Sequence, residues 1–161
     1  MATEYLNNKV FEGNIVKFQQ LKRDKTRYEF ILDDLNISKN KPNFNKIDLL
    51  TKKQTEYEQI MRDYTAAQNI LATSFLLLSE NIIRYRKFNL VDVDDAIQEF
   101  VMILFDKIDR FNPDKGKAFS YATQILINNY RQLYRSARNY NELKKKYTTH
   151  LEEKTKKPCK N

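Results

Sequence analysis

At 161 residues the chain is long enough to bury a real core, and one domain with appendages fits its length. It carries 29 Lys and Arg against 21 Asp and Glu, a net charge of +8. A single cysteine excludes an internal disulfide, one Cys with one His cannot furnish a zinc site, and glycine only at positions 13 and 116 excludes a glycine-rich phosphate loop.

Few chain breakers and much Lys, Gln, Glu and Leu predict an all-α protein. Residues 5–21 can form an amphipathic helix on Leu6, Val10, Ile15, Phe18 and Leu21, weakened by Gly13, and 28–35 a further short helix. Residues 36–48, rich in Asn and Lys around Pro42, read as a loop or linker. Residues 49–64 are mostly polar and predict at most an exposed helical lead-in. A strong helix is expected over 65–88, with Ala67, Ile70, Leu71, Phe75, Leu78, Ile82 and Tyr85 on its apolar face. Arg84, Arg86 and Lys87 fall in its last turn, where cations suit the helix dipole. The longest apolar run, Phe75, Leu76, Leu77 and Leu78, is far too short to span a membrane. No charged-then-apolar leader opens the chain, and the lone Cys159 fits a reducing compartment, so a cytoplasmic location is expected.

The stretch 94–138 organises the rest. Ile97, Phe100, Val101, Leu104, Ile108 and Phe111 recur at the three-and-four spacing of one buried helix face, and Asp94 or Asp95 can cap its start. Asn112, Pro113, Asp114, Lys115 and Gly116 predict a turn, because proline disfavours helix in the residue before it and glycine accepts angles that others avoid. In the helix that follows, Phe119, Ala122, Ile125, Leu126, Asn129 and Leu133 share one side. Tyr121, Gln124, Asn128, Arg131, Arg135 and Arg138 recur at spacings of three and four along another. That second stripe holds a ring, two amides and three guanidiniums, with no acid among them. Such groups stack on bases and bond to base edges and phosphates, although the solvated face of a basic helix would look the same.

Charge supports the first of these readings. Residues 1–106 hold 15 Lys and Arg against 16 Asp and Glu, whereas residues 107–161 hold 14 against 5. The excess begins where the stripe begins, and such a region attracts phosphate polyanions or acidic surfaces. After Arg138 the chain turns polar, with Lys144, Lys145 and Lys146, and reads as a helix extension fading into a disordered basic tail. Catalytic chemistry is nearly absent. His150 has no acid–base partner nearby, and Asp92, Asp94, Asp95 and Glu99 read as helix capping plus an acidic docking patch rather than a metal site. A binding protein without a cofactor is expected, not an enzyme.

Here the residues become recognisable. The run Asp95-Ala96-Ile97-Gln98-Glu99, then Asp106 to Phe111, then Gly116 and Phe119-Ser120-Tyr121-Ala122-Thr123, resembles region 2 of bacterial sigma factors. Tyr5-Leu6-Asn7-Asn8-Lys9 and Tyr121-Ala122-Thr123-Gln124 further resemble the diverged late-transcription sigma factors of T-even-like bacteriophages. The resemblance implies three parts: an N-terminal helical segment with linker over 1–64, a region-2-like helical domain over 65–140, and a basic tail over 141–161. It implies no helix-turn-helix for the minus-thirty-five element, as only 23 residues follow Arg138.

The roles it implies are specific. Asp95, Gln98 and Glu99 would dock on the coiled coil of the clamp in the largest subunit of bacterial RNA polymerase. Phe111, Lys115, Lys117, Phe119 and Tyr121 would capture the flipped adenine of a minus-ten-like element and hold the non-template strand. Gln124 and Ile125 would stand where the family has a tryptophan pair, so the wedge would be built from them, with Tyr130 as a further ring. Asn128 and Arg131 would approach the upstream edge of the element, with Arg135 and Arg138 continuing the DNA-binding stripe. Two departures stand out: the chain has no tryptophan, which predicts weak unaided melting, and one residue is missing between Ser120 and Tyr121. The resemblance also brings in a coactivator and a DNA sliding clamp as partners, although the final KKPCKN has no apolar anchor for a clamp. The expected function is therefore initiation at AT-rich late promoters in an infected host, and the alternative is a polymerase-binding inhibitor or coactivator, or a small nucleic-acid-binding protein.

Overall fold

The computed structural model describes residues 7–37, 44–86 and 90–155, and among these all regular structure is helical. Four α-helices follow in order: α1 (Asn8–Ile37), α2 (Phe44–Arg86), α3 (Val93–Lys107) and α4 (Ala118–Thr155). Single 3-10 turns at Ile108–Arg110 and Pro113–Lys115 join α3 to α4. The all-α expectation holds.

α1 starts where the Asn7 side chain accepts from the amides of Lys9 (3.1 Å) and Val10 (3.4 Å), an N-cap. It then runs unbroken through Gly13 to Ile37, rather than as two separate pieces. Its buried face is Phe11, Ile15 and Phe18, with Leu21 partly buried; Val10 points outward, and Leu6 lies outside the described residues. Burial of three large side chains outweighs the roughly 1 kcal/mol cost of a mid-helix glycine.

α2 begins at Phe44, inside the segment read as linker, and takes in all of 49–64; residues 38–43 lie outside the described residues. What read as an exposed lead-in is half of an antiparallel pair with α1. Tyr28 donates its hydroxyl to Glu56 (3.0 Å) and Tyr57 donates to Glu29 (3.0 Å). Lys53 lies over the Tyr28 ring and Lys25 over the Tyr64 ring, at 5.4 and 5.2 Å from the centroids. The boundary drawn at residue 64 therefore falls within a continuous helix.

One core joins all four helices. Phe11, Ile15 and Phe18 meet Ala67, Leu71, Phe75, Leu78 and Ile83 of α2, Ala96, Phe100 and Leu104 of α3, and Ala118, Ala122 and Leu126 of α4. Phe75 links Phe11 and Phe105 through edge-on ring contacts at 6.0 and 4.9 Å. The expected apolar face of α2 was too wide: Ile70 is 50% and Tyr85 81% exposed, and Ile83 takes the buried place near the helix end. Lys87 and Phe88 lie outside the described residues.

At the start of α3 the cap is Asp92, not Asp94 or Asp95; its carboxylate accepts from both of their amides, at 2.9 and 3.2 Å. Those two acids occupy the first turn, where they still favour the helix dipole. In the turn, Asn112 accepts from the Asp114 amide (2.8 Å) ahead of Pro113. Gly116 is extended, with φ 163°, and an added Cβ would meet nothing within 4 Å, so the turn does not depend on glycine's freedom. α4 continues to Thr155, so the segment read as tail is helical that far. It contains no Gly or Pro before Pro158, and Arg138 pairs with Glu142 (3.0 Å) one turn on. Residues 156–161 lie outside the described residues.

Candidate functional site

Two helices that share a core present opposite chemistry outward. On α3 the buried stripe Ala96, Phe100 and Leu104 leaves Asp95, Gln98 and Glu99 exposed on the far side. The same side continues to Met102, 68% exposed, and to Asp106. Asp106 pairs with Lys107 (2.6 Å), whose hydrogen bond and charge hold its carboxyl below the usual range. Sequence reasoning missed Met102 and Asp106. The signal was there: they fall three and seven residues beyond Glu99, off the buried periodicity.

On α4, Gln124, Asn128, Arg131, Arg135 and Arg138 are all exposed. The Gln124 amide donates to Asn128 (3.0 Å), which sets the orientation of both. Tyr121 heads this stripe but is half-buried: its hydroxyl donates to the Lys107 carbonyl (2.9 Å), and its ring packs 5.5 Å from that of Phe111. Phe111 itself is only 5% exposed. Packed in the core, its ring presents no free face for stacking in this structure. The available ring is Phe119, 41% exposed, with Lys115 and Lys117 exposed beside it. Ala118 fills the buried place that the apolar pattern offered to Phe119.

A cleft of about 250 Å³ lies between α3 and α4, lined among others by Lys107, Arg110, Tyr121, Asn128, Asn129 and Gln132. Cations and amides converge there from two helices, which fits a base edge and its phosphate. A second groove, about 510 Å³, follows α4 outward past Tyr134, Arg138, Lys144 and Lys145. Arg110 and Gln132 were missed, because a cleft between helices leaves no mark on the periodicity of either one.

The turn joining the two helices is gripped from α1. Gln19 donates to the carbonyls of Ile108 (2.8 Å) and Phe111 (3.0 Å), and Lys22 pairs with Asp109. The amides of Ala118 and Phe119 donate to Glu12 and Asn8, each at 3.3 Å. Among the described residues no group of His, Cys, Asp and Glu is placed to hold a metal, and no helix is long and apolar enough to cross a membrane.

No curated protein and no solved structure matches the chain. Residues 71–140, which hold α3, the gripped turn and the part of α4 that carries the amide and guanidinium stripe, match the family model for Sigma-70 region 2, and this all-helical segment is similar to that region.

Proposed function

We propose that the chain is a sigma-like initiation factor that brings core RNA polymerase to an AT-rich, minus-ten-like promoter element and holds it open. One observation carries the reading: an acidic, Met-centred face on α3 and an amide and guanidinium face on α4 are exposed together on one rigid core. A bridge between a basic protein surface and nucleic acid needs that division of charge.

Asp95, Gln98 and Glu99 dock on the clamp coiled coil of the polymerase, with Met102 as the apolar anchor that α3 leaves uncovered. Opening is stabilised without chemistry by this subunit. Phe119 stacks on an unpaired base of the non-template strand while Lys115 and Lys117 neutralise its phosphates. The cleft beside Tyr121 takes base edges, and Gln124 with Ile125 stands at the fork. Asn128, Arg131, Arg135 and Arg138 follow the duplex upstream. Stacking supplies roughly 1–3 kcal/mol per base, so two or three captured bases approach the cost of opening several AT pairs. By its residues the chain fits late promoters of T-even-like phages in an infected host, where a coactivator or sliding clamp adds affinity.

Transcription with purified core polymerase tests the reading. Discrete RNA starts at AT-rich sites are expected; suppression of the host holoenzyme without such starts would mark an inhibitor instead. The double substitution Gln98→Ala, Glu99→Ala should abolish core binding with helicity unchanged by circular dichroism. Retained binding rejects the docking face.

A further inference from the structure

Two helix ends meet at 108–119; at the first, the Phe111 amide donates to the Ile108 carbonyl and the Tyr121 hydroxyl to that of Lys107, while the second has no cap of its own. Carbonyls at the end of a helix and amides at the start of one lack intrahelical partners. The residue ahead of α4 is Lys117, whose side chain has no acceptor to serve as a cap. α1, which lies outside the segment that matches the family model, adds a donor at the first end and supplies the acceptors at the second. Gln19 closes the carbonyls of Ile108 and Phe111, and Glu12 and Asn8 take the amides of Ala118 and Phe119. Asn8, Glu12, Gln19 and Lys22 are spaced four, seven and three apart, one stripe flanking the buried Phe11, Ile15 and Phe18.

Lys115 and Lys117 lie between the gripped points and Phe119 at the last of them, with all three side chains exposed. α1 thus holds this segment by its main chain from within and leaves its side chains outward. A segment fixed in this way loses less conformational freedom on taking up a strand. A carboxylate at the start of α4 also suits the positive end of its dipole. We infer that α1 belongs to the DNA-handling site, with Gln19 positioning the backbone after α3 and Glu12 the first turn of α4; this rests on the initiation reading above.

The test compares Gln19→Leu, Glu12→Leu and Glu12→Gln, the last of which keeps an acceptor oxygen. Ile15→Val serves as a control that loosens the same helix without touching a cap. By amide hydrogen exchange on the full chain, Ala118, whose amide donates to Glu12, should exchange about five- to tenfold faster in Glu12→Leu, the size expected for a lost cap, and near the wild-type rate in Glu12→Gln. With core polymerase, Gln19→Leu and Glu12→Leu should keep core affinity within about twofold, while permanganate-reactive open promoter falls about five- to tenfold in step with the exchange. Ile15→Val should lower the melting temperature and leave opening intact. Unchanged exchange at Ala118 in Glu12→Leu overturns the positioning role. So does a loss of opening in Ile15→Val equal to that in Gln19→Leu, which would make the effect one of global stability. If the wild-type protein opens no promoter, the initiation reading fails, and the exchange result still decides whether α1 sets α4.

Discussion

Phe111 and Phe119 are eight residues apart, chemically identical, and opposite in role. Phe111 closes the core against Tyr121, whereas Phe119 stands at the surface beside two lysines. Phe111→Ala should cost about 3–5 kcal/mol of stability, as large buried rings do. Phe119→Ala should cost well under about 1 kcal/mol of stability, yet weaken single-stranded promoter DNA binding by roughly 1–3 kcal/mol, the value of one stacked base. Denaturant melts and fluorescence anisotropy separate the two; a large stability loss in Phe119→Ala would return that ring to the core. The sequence left this pair ambiguous for a physical reason. Ala118 and Phe119 lie four and three residues before Ala122, so both spacings are helical, and apolar pattern favours the larger side chain. The register is decided instead by where α4 begins, and side chains of α1 take part in that.

At the scale of elements, α3 and the first half of α4 were legible because their buried faces are apolar and periodic. The seam between α1 and the outer half of α2 was not, because it is polar on both sides and its partners are 28 residues apart. It has a pH signature. Burial, and then the bond to the Glu29 carboxylate, raises the Tyr57 pKa, and the bond to Glu56 raises that of Lys53. A raised folded pKa means their contribution is whole below the ordinary tyrosine and lysine range and is lost as pH climbs through the folded value. The Glu56 carboxyl is held low, first by Lys53 and then by Tyr28, so its contribution is whole above the ordinary carboxylate pKa and is lost as pH falls through the lowered value. The seam should therefore be tightest across the neutral range and loosen at both extremes, read as faster amide exchange in the outer halves of α1 and α2 while α3 stays protected. Tyr57→Phe should remove the alkaline limb of Tyr57 and cost about 0.5–1.5 kcal/mol at neutral pH.

Over the whole molecule the charge is divided, nearly balanced through residue 106 and strongly basic after it. Removing a guanidinium from α4 should flatten the salt dependence of duplex binding by about one unit of slope for each phosphate it neutralises, so Arg135→Ala with Arg138→Ala should reduce the slope by about two. An unchanged slope in filter binding would assign these arginines to solvent. The core is the other whole-molecule property, and it does not respect the limits of the region-2-like segment. Phe11, Ile15 and Phe18 are each at most 2% exposed and close the same core as Phe75, Phe100 and Leu126. Burial of side chains of this size contributes about 1.5–3 kcal/mol each, and three together approach the roughly 5–15 kcal/mol that holds an ordinary domain folded. A chain lacking residues 1–43 also loses every cap that α1 gives to the turn between α3 and α4. Such a truncation should stay helical by far-ultraviolet circular dichroism but lose its cooperative thermal transition and bind a hydrophobic dye, as a collapsed state without fixed packing does. A sharp transition near the full-length melting temperature would show that α2, α3 and α4 make a self-sufficient unit, and that α1 only rests against it.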